Sequence, residues 1–140
     1  MKKFYYIILL LCTMQQIYGQ QALDGIYTVD LAKTVALMEG DNKQKYDSLD
    51  SSVKERARQS MDGRVFVFRA GGQLEVRWNA NGSGKFTEGT WEMKDKEILL
   101  IKIGEQVTEY LVIRPTATGL VLKNEGGRGF FSNLYLESSE

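Results

Sequence analysis

RVFVFRAGGQLEVRWNANGSGKFTEGTWEMKDKEILLIKI, residues 64–103, holds four runs of β-forming residues. A Gly71-Gly72 pair, an Asn/Gly/Ser tract at 79–84 and a charged corner at 94–97 separate the runs. Short β-rich runs divided by turn-forming residues describe consecutive antiparallel strands. Within them Leu74, Val76 and Trp78 alternate with Glu75 and Arg77, which sets one inward and one outward face. Trp91 and Met93 take the inward side, opposite Thr90 and Glu92. Phe66 and Phe68 are also expected to point inward. Val65 and Val67 make that strand apolar on both faces, which would suit a helix packed over its outer side.

Working outward, strands are expected at 64–70, 73–80, 85–94 and 96–103, then at 106–114, 120–124 and 130–137, with the first at 25–30. Pro115, the only proline, falls just past a strand, where its missing N–H is harmless. Eight short strands with no crossover helices between them predict a mainly β fold. The expectation is a single antiparallel up-and-down barrel of about eight strands, with one helix inserted between the first two. That helix is expected over 48–61, on a stripe of Tyr46, Leu49, Val53, Ala57 and Met61. Asp47 or Ser48 caps it, unless the Ser52–Glu55 spacing starts it a turn later as a capping box. It either closes one barrel mouth or covers Val65 and Val67 from outside. Leu31, Val35 and Met38 recur at helical spacing up to Gly40, and 41–45 reads as a polar loop.

The first nineteen residues read differently. Lys2 and Lys3 precede the apolar run 4–11, and a more polar stretch ends at Gly19, the pattern of a secretory signal peptide. Residues 20–140 are then the mature domain, exported to the periplasm or the extracellular space and without a transmembrane segment. A lipid anchor on Cys12 is disfavoured, because Leu11 stands where a lipoprotein signal wants a small residue. Cleavage removes Lys2 and Lys3, taking the bases from 18 to 16 against 18 acids, a net charge of −2. It also removes the only cysteine, so packing alone must hold the domain.

Composition excludes several chemistries. With no histidine in the chain and no cysteine after cleavage, Ser-His-Asp and Cys-His nucleophile systems are ruled out, as are ordinary zinc sites. A zero formal charge offers no basic footprint for nucleic acid. Gly82-Ser83-Gly84-Lys85 brushes against a phosphate loop. Asn79 and Phe86 occupy the positions that need Gly and Ser/Thr, so it reads as a hairpin turn. Gly126-Gly127-Arg128-Gly129 reads as a pliable connection, and the asparagines at 42, 79 and 81 as turn residues rather than calcium ligands. No cofactor, metal or catalytic residue is assigned.

Four further features carry a family resemblance. They are Gly25-Ile26-Tyr27, Gly89-Thr90-Trp91-Glu92-Met93, Tyr110-Leu111-Val112-Ile113 and the corner at 116–122. In these the chain resembles the lipocalin-like, calycin-type domains of exported bacterial proteins. The resemblance implies an antiparallel barrel and transfers no catalytic residue. Tyr27 stands where a lipocalin has Trp, and no helix follows the last strand.

The expected function is a non-enzymatic binding module that holds a small hydrophobic or amphipathic molecule in the barrel. Its candidate ligand-binding residues are Arg64, Phe66, Phe68, Trp78, Trp91 and Tyr110, because small-ligand pockets are apolar with a few polar groups. The alternative is an envelope interaction module with a solid core and a protein partner on its exterior.

Overall fold

Eight strands close into one antiparallel barrel in chain order, and the last returns to pair with the first. They are β1 (Gly25–Val29), β2 (Val65–Phe68), β3 (Gln73–Ala80), β4 (Ser83–Met93), β5 (Ile98–Ile103), β6 (Gln106–Ile113), β7 (Gly119–Lys123) and β8 (Asn133–Ser138). This is a computed structural model describing residues 23–127 and 129–139. The expected signal peptide, its cleavage point and Cys12 lie outside the described residues.

Register follows the alternation in the sequence. Tyr27 faces Phe66, Phe66 faces Val76, and Phe68 faces Leu74. The inward row continues through Trp91 with Ile101, Leu99 with Tyr110, Val112 with Leu122, and Leu120 with Leu136. These inward side chains form one buried cluster. The outward row carries charge on the central strands, as in Glu75 opposite Glu88 and Thr90 opposite Lys102.

Two turns explain where strand ends depart from expectation. Asn81 (φ 52°) and Gly82 (φ 77°) both adopt left-handed conformations, which makes Ala80–Ser83 a two-residue hairpin. Strand β4 therefore begins at Ser83 rather than at 85, and the Gly-Ser-Gly-Lys segment is mostly strand. At Gly89, β4 passes from one partner to the other, and a Cβ there would strike the Lys102 carbonyl. Only glycine lets the two strands approach so closely. At the other end of the chain, β8 begins at Asn133 instead of 130. Phe130 and Phe131 are held outside the ladder by edge-to-face contacts with Tyr46, at 5.9 and 6.2 Å.

The expected helical insertion lies between β1 and β2 and consists of three helices: α1 (Leu31–Ala36), which carries Leu31 and Val35 of the helical spacing that runs on to Met38, α2 (Gly40–Asp47) and α3 (Ser51–Met61). The expected polar loop at 41–45 is helical. A Lys43–Asp47 pair at 2.7 Å and Tyr46's packing on the two phenylalanines stabilise a segment of little intrinsic amphipathicity. The expected 48–61 helix is broken near its start. Ser48 Oγ donates to the Lys45 carbonyl, closing α2, and Asp50 takes the N-cap position of α3. The anticipated apolar stripe is thus split between two helices, and Met61 is the buried residue of α3. Met61 joins the interior cluster and α3 packs on β3, which puts this helix at a mouth of the barrel.

Helix α1 completes the seam between the first and last strands. Strands β1 and β8 share three residue pairs, Tyr27–Ser138, Thr28–Glu137 and Val29–Leu136. Beyond Val29 the chain turns into α1, yet the pairing continues by other means. The Asp30 N–H donates to the Tyr135 carbonyl at 3.0 Å, and the Tyr135 N–H donates to Thr34 Oγ1 at 3.0 Å. Thr34 is fully buried, so this hydroxyl serves as a strand partner where the strand has ended. Nearby, the Thr118 hydroxyl and then Lys33 hold the Glu137 carboxyl below the usual carboxylate range. Replacing Thr34 with Val keeps the shape but strands a buried N–H. The expected loss of stability is about 1–3 kcal/mol in urea unfolding. An unchanged midpoint would show that the seam does not depend on this bond.

Candidate binding cleft at the β6–β7 seam

The six residues singled out from sequence fall into three places. Phe66, Phe68 and Trp91 lie together in the core. Phe68 meets Trp91 edge to face at 5.5 Å and Phe66 in a near-parallel stack at 6.2 Å, while Tyr27 adds a further edge contact at 5.8 Å. Trp91 is 2% exposed, and its indole N–H donates to the Arg69 carbonyl at 3.0 Å. This end of the barrel is packed.

Arg64 and Trp78 form a second group at the mouth beside α3. The Arg64 guanidinium lies 5.2 Å from the Trp78 ring centre, and its Nε donates to the Ser60 carbonyl at 3.1 Å. Burial pushes the guanidinium below its ordinary value. Trp78 also borders an open groove of about 400 Å³ on the β3–β4 hairpin, which includes the exposed Phe86. The two tryptophans do not share a space. Trp91 N–H bonds to the Gly72 carbonyl, six residues before Trp78 on β3, which separates them by roughly 20 Å along the strand.

Tyr110 alone lies at a groove of about 750 Å³. It exists because β6 outruns its neighbour. Strand β7 pairs only with Leu111, Val112 and Ile113, leaving 106–110 without a partner on that side. The two-residue turn at Gly104-Glu105 makes Ile103 and Gln106 the terminal bonded pair. Gln106, Thr108 and Tyr110 therefore direct their backbone groups to β5. The Val112 N–H, which donates to the Glu97 carbonyl at 2.7 Å, follows the same alternation. Val107 and Glu109 direct theirs into the groove.

Side chains complete the cleft. Tyr110 and Phe131 reach in from the interior side, with Ile98 and Leu111 as apolar wall. Burial pushes the Tyr110 phenol above its ordinary value. The opposite wall is the β7–β8 connection. There the Gly127 N–H donates to the Asn124 carbonyl at 3.1 Å, and a Cβ at 127 would approach Ser132 Cβ at 2.7 Å. The expected pliable glycine stretch is therefore tightly folded at Gly127, and Tyr46 of α2 fixes it through Phe130 and Phe131. Arg128 lies outside the described residues.

Two acids on the central strands and their turns have contacts of their own. Glu75 pairs with Arg77 and, at 3.7 Å, with Arg69, and the Arg77 hydrogen bond leads in lowering its carboxyl below the usual range. Asp95 accepts from the Glu97 and Ile98 N–H groups at 2.8 and 3.0 Å, shaping its own turn. Among the described residues, no three His, Cys, Asp or Glu side chains converge as a metal set. No family model, curated protein or solved structure matches the chain.

Of the six residues named from sequence, Tyr110 alone lines this groove, and the other residues lining it were not named. The missing signal is partner loss: 106–110 alternates like any paired strand. Only the five-residue length expected for β7, against nine for β6, hinted that one strand would overhang the other. Replacing Trp91 with Ala is expected to cost about 3–5 kcal/mol in urea unfolding. Trp78→Ala is expected to cost less, about 1–2 kcal/mol from the Arg64 contact and partial burial. Equal losses would contradict the placement of one ring in the core and the other at the rim.

Proposed function

We propose that the chain is an exported, non-enzymatic binding module of the lipocalin-like class, holding a small amphipathic molecule at the β6–β7 seam of its barrel. The observation that carries this reading is the cleft of about 750 Å³, lined by Ile98, Tyr110, Leu111 and Phe131 together with polar residues such as Thr108 and Asn124. Its size falls within the range of small-molecule sites, and its mixed lining suits a ligand with one apolar and one polar side. The aromatic cluster around Trp91, in register with Thr108 of the groove through Ile101, serves this module as packed scaffold. Export rests on the charged and apolar pattern of the first nineteen residues.

A second reading has its own support. Phe86 is 67% exposed on the β3–β4 hairpin, an unusual place for a phenylalanine in a module without a partner. An envelope interaction module would use that hairpin and leave the cleft empty.

Amide-resolved NMR of the mature protein, titrated with lauryl amphiphiles of either charge, separates the two. Binding in the cleft is expected to shift 106–111 and 123–127 while leaving tryptophan fluorescence nearly unchanged. Shifts centred on Phe68 and Trp91 would move the ligand into the barrel centre. No shifts anywhere would sink the small-molecule reading and leave the hairpin as the working surface.

A further inference from the structure

The cleft wall is the edge of a strand, which narrows the class of ligand it suits. Five consecutive residues, 106–110, lack a neighbour on one side, a run of about 17 Å. Val107 and Glu109 each turn one N–H and one C=O into the groove, and no backbone partner meets them among the described residues. Strand edges left open in this way are usually blunted by lysine, proline or a covering loop. Here the sequence Gln-Val-Thr-Glu-Tyr has neither lysine nor proline, and Val107 is 57% exposed.

We infer that the cleft takes an extended basic peptide, paired antiparallel to β6 as an added strand. This rests on the cleft being the binding site and specifies its ligand. Main-chain bonds to Val107 and Glu109 supply the register, as in other cases of strand addition. Guest residues opposite Val107 and Glu109 point outward with them, and alternate guest residues point toward Thr108, Tyr110 and Phe131.

Charge selects the guest. Among the described residues, two acids, Glu109 and Glu125, line the groove with one base, Lys123. Lys94 approaches Glu109 only at 3.7 Å with both side chains more than half exposed, so the carboxylate is weakly compensated. A basic residue opposite Glu109 is favoured, and an apolar one suits the inward positions. A second copy of this chain is disfavoured by the same groups. Edge-to-edge pairing about Thr108 sets the two Glu109 carboxylates on one face as diagonal neighbours.

The test uses acetyl-Val-Lys-Val-Lys-Val-amide on the mature protein, followed by amide NMR and calorimetry. Two modified peptides accompany it, one N-methylated at both lysines and one at the central valine. In the antiparallel arrangement only the lysine amides face β6. Lysine methylation is therefore expected to weaken binding about tenfold or more, and valine methylation to change it little. Val107→Pro removes an edge donor without removing a ladder bond, and circular dichroism verifies the fold. It is expected to weaken the unmodified peptide by about tenfold as well. Glu109→Lys is expected to reverse the preference toward an acidic Val-Glu peptide.

Equal binding of both methylated peptides, or full affinity in the folded Val107→Pro variant, would overturn strand addition. Failure of the unmodified peptide while a lauryl amphiphile still shifts 106–111 would overturn the peptide and keep the cleft as a small-molecule site. If neither probe shifts those residues, the peptide proposal and the cleft reading fail together.

Discussion

Closing eight strands into a barrel requires the first and last to hydrogen-bond, and here β1 and β8 share only three residue pairs. So short a ladder leaves Tyr135 on β8 with buried backbone groups that no strand reaches. The protein answers by turning the chain into α1 at once, so that the Asp30 N–H supplies the missing donor and Thr34 Oγ1 the missing acceptor. Asp30 does this while its own carboxylate accepts from the Lys33 N–H and caps the helix. One sharp strand-to-helix corner therefore starts a helix and finishes a sheet. The inward rows of Tyr27, Phe66, Phe68 and Trp91 depend on that closure, because their ring contacts cross strands β1, β2 and β4.

The barrel has a second seam of equal length. Strands β6 and β7 also share three residue pairs, but no helix turns back to complete them. The β7–β8 connection lies across from the free edge, held by Tyr46 and by the close approach at Gly127, and leaves a groove instead of a bond. The helices thus act on both seams in opposite ways. Helix α1 seals one, while α2 props the far wall of the other. An open strand edge is costly in solution and prone to pairing with other chains. Its persistence beside a sealed counterpart is what supports the proposed binding at this seam.

How much of this was legible in the sequence depends on range. Strand β3 could be read to its ends at 73 and 80 because Leu74, Val76 and Trp78 alternate cleanly between turn residues. The eight-strand barrel followed from similar rhythm along the rest of the chain. The helical insertion was harder. Tyr46, Leu49, Val53, Ala57 and Met61 fit one stripe, yet Tyr46 is drawn away by Phe130 and Phe131, more than eighty residues distant in sequence. Thr34 carried no local mark of its role, since its partner is the backbone of Tyr135. For the candidate residues, the pattern gave inward facing correctly but not depth along the barrel. Phe68 and Trp91 are packed, Trp78 sits at a rim, and only Tyr110 meets the cleft.

The difference between the two seams is most directly measured by amide hydrogen exchange of the folded protein, residue by residue. Sealing of the first seam predicts slow exchange for Tyr135 and Asp30, although both lie where β1 has ended. The open second seam predicts alternation along β6, with Thr108 and Tyr110 protected by β5 and Val107 and Glu109 exchanging much faster. Uniform protection from Gln106 to Leu111 would contradict the account, because it would mean that the β6 edge is already paired and the cleft has no strand edge to offer.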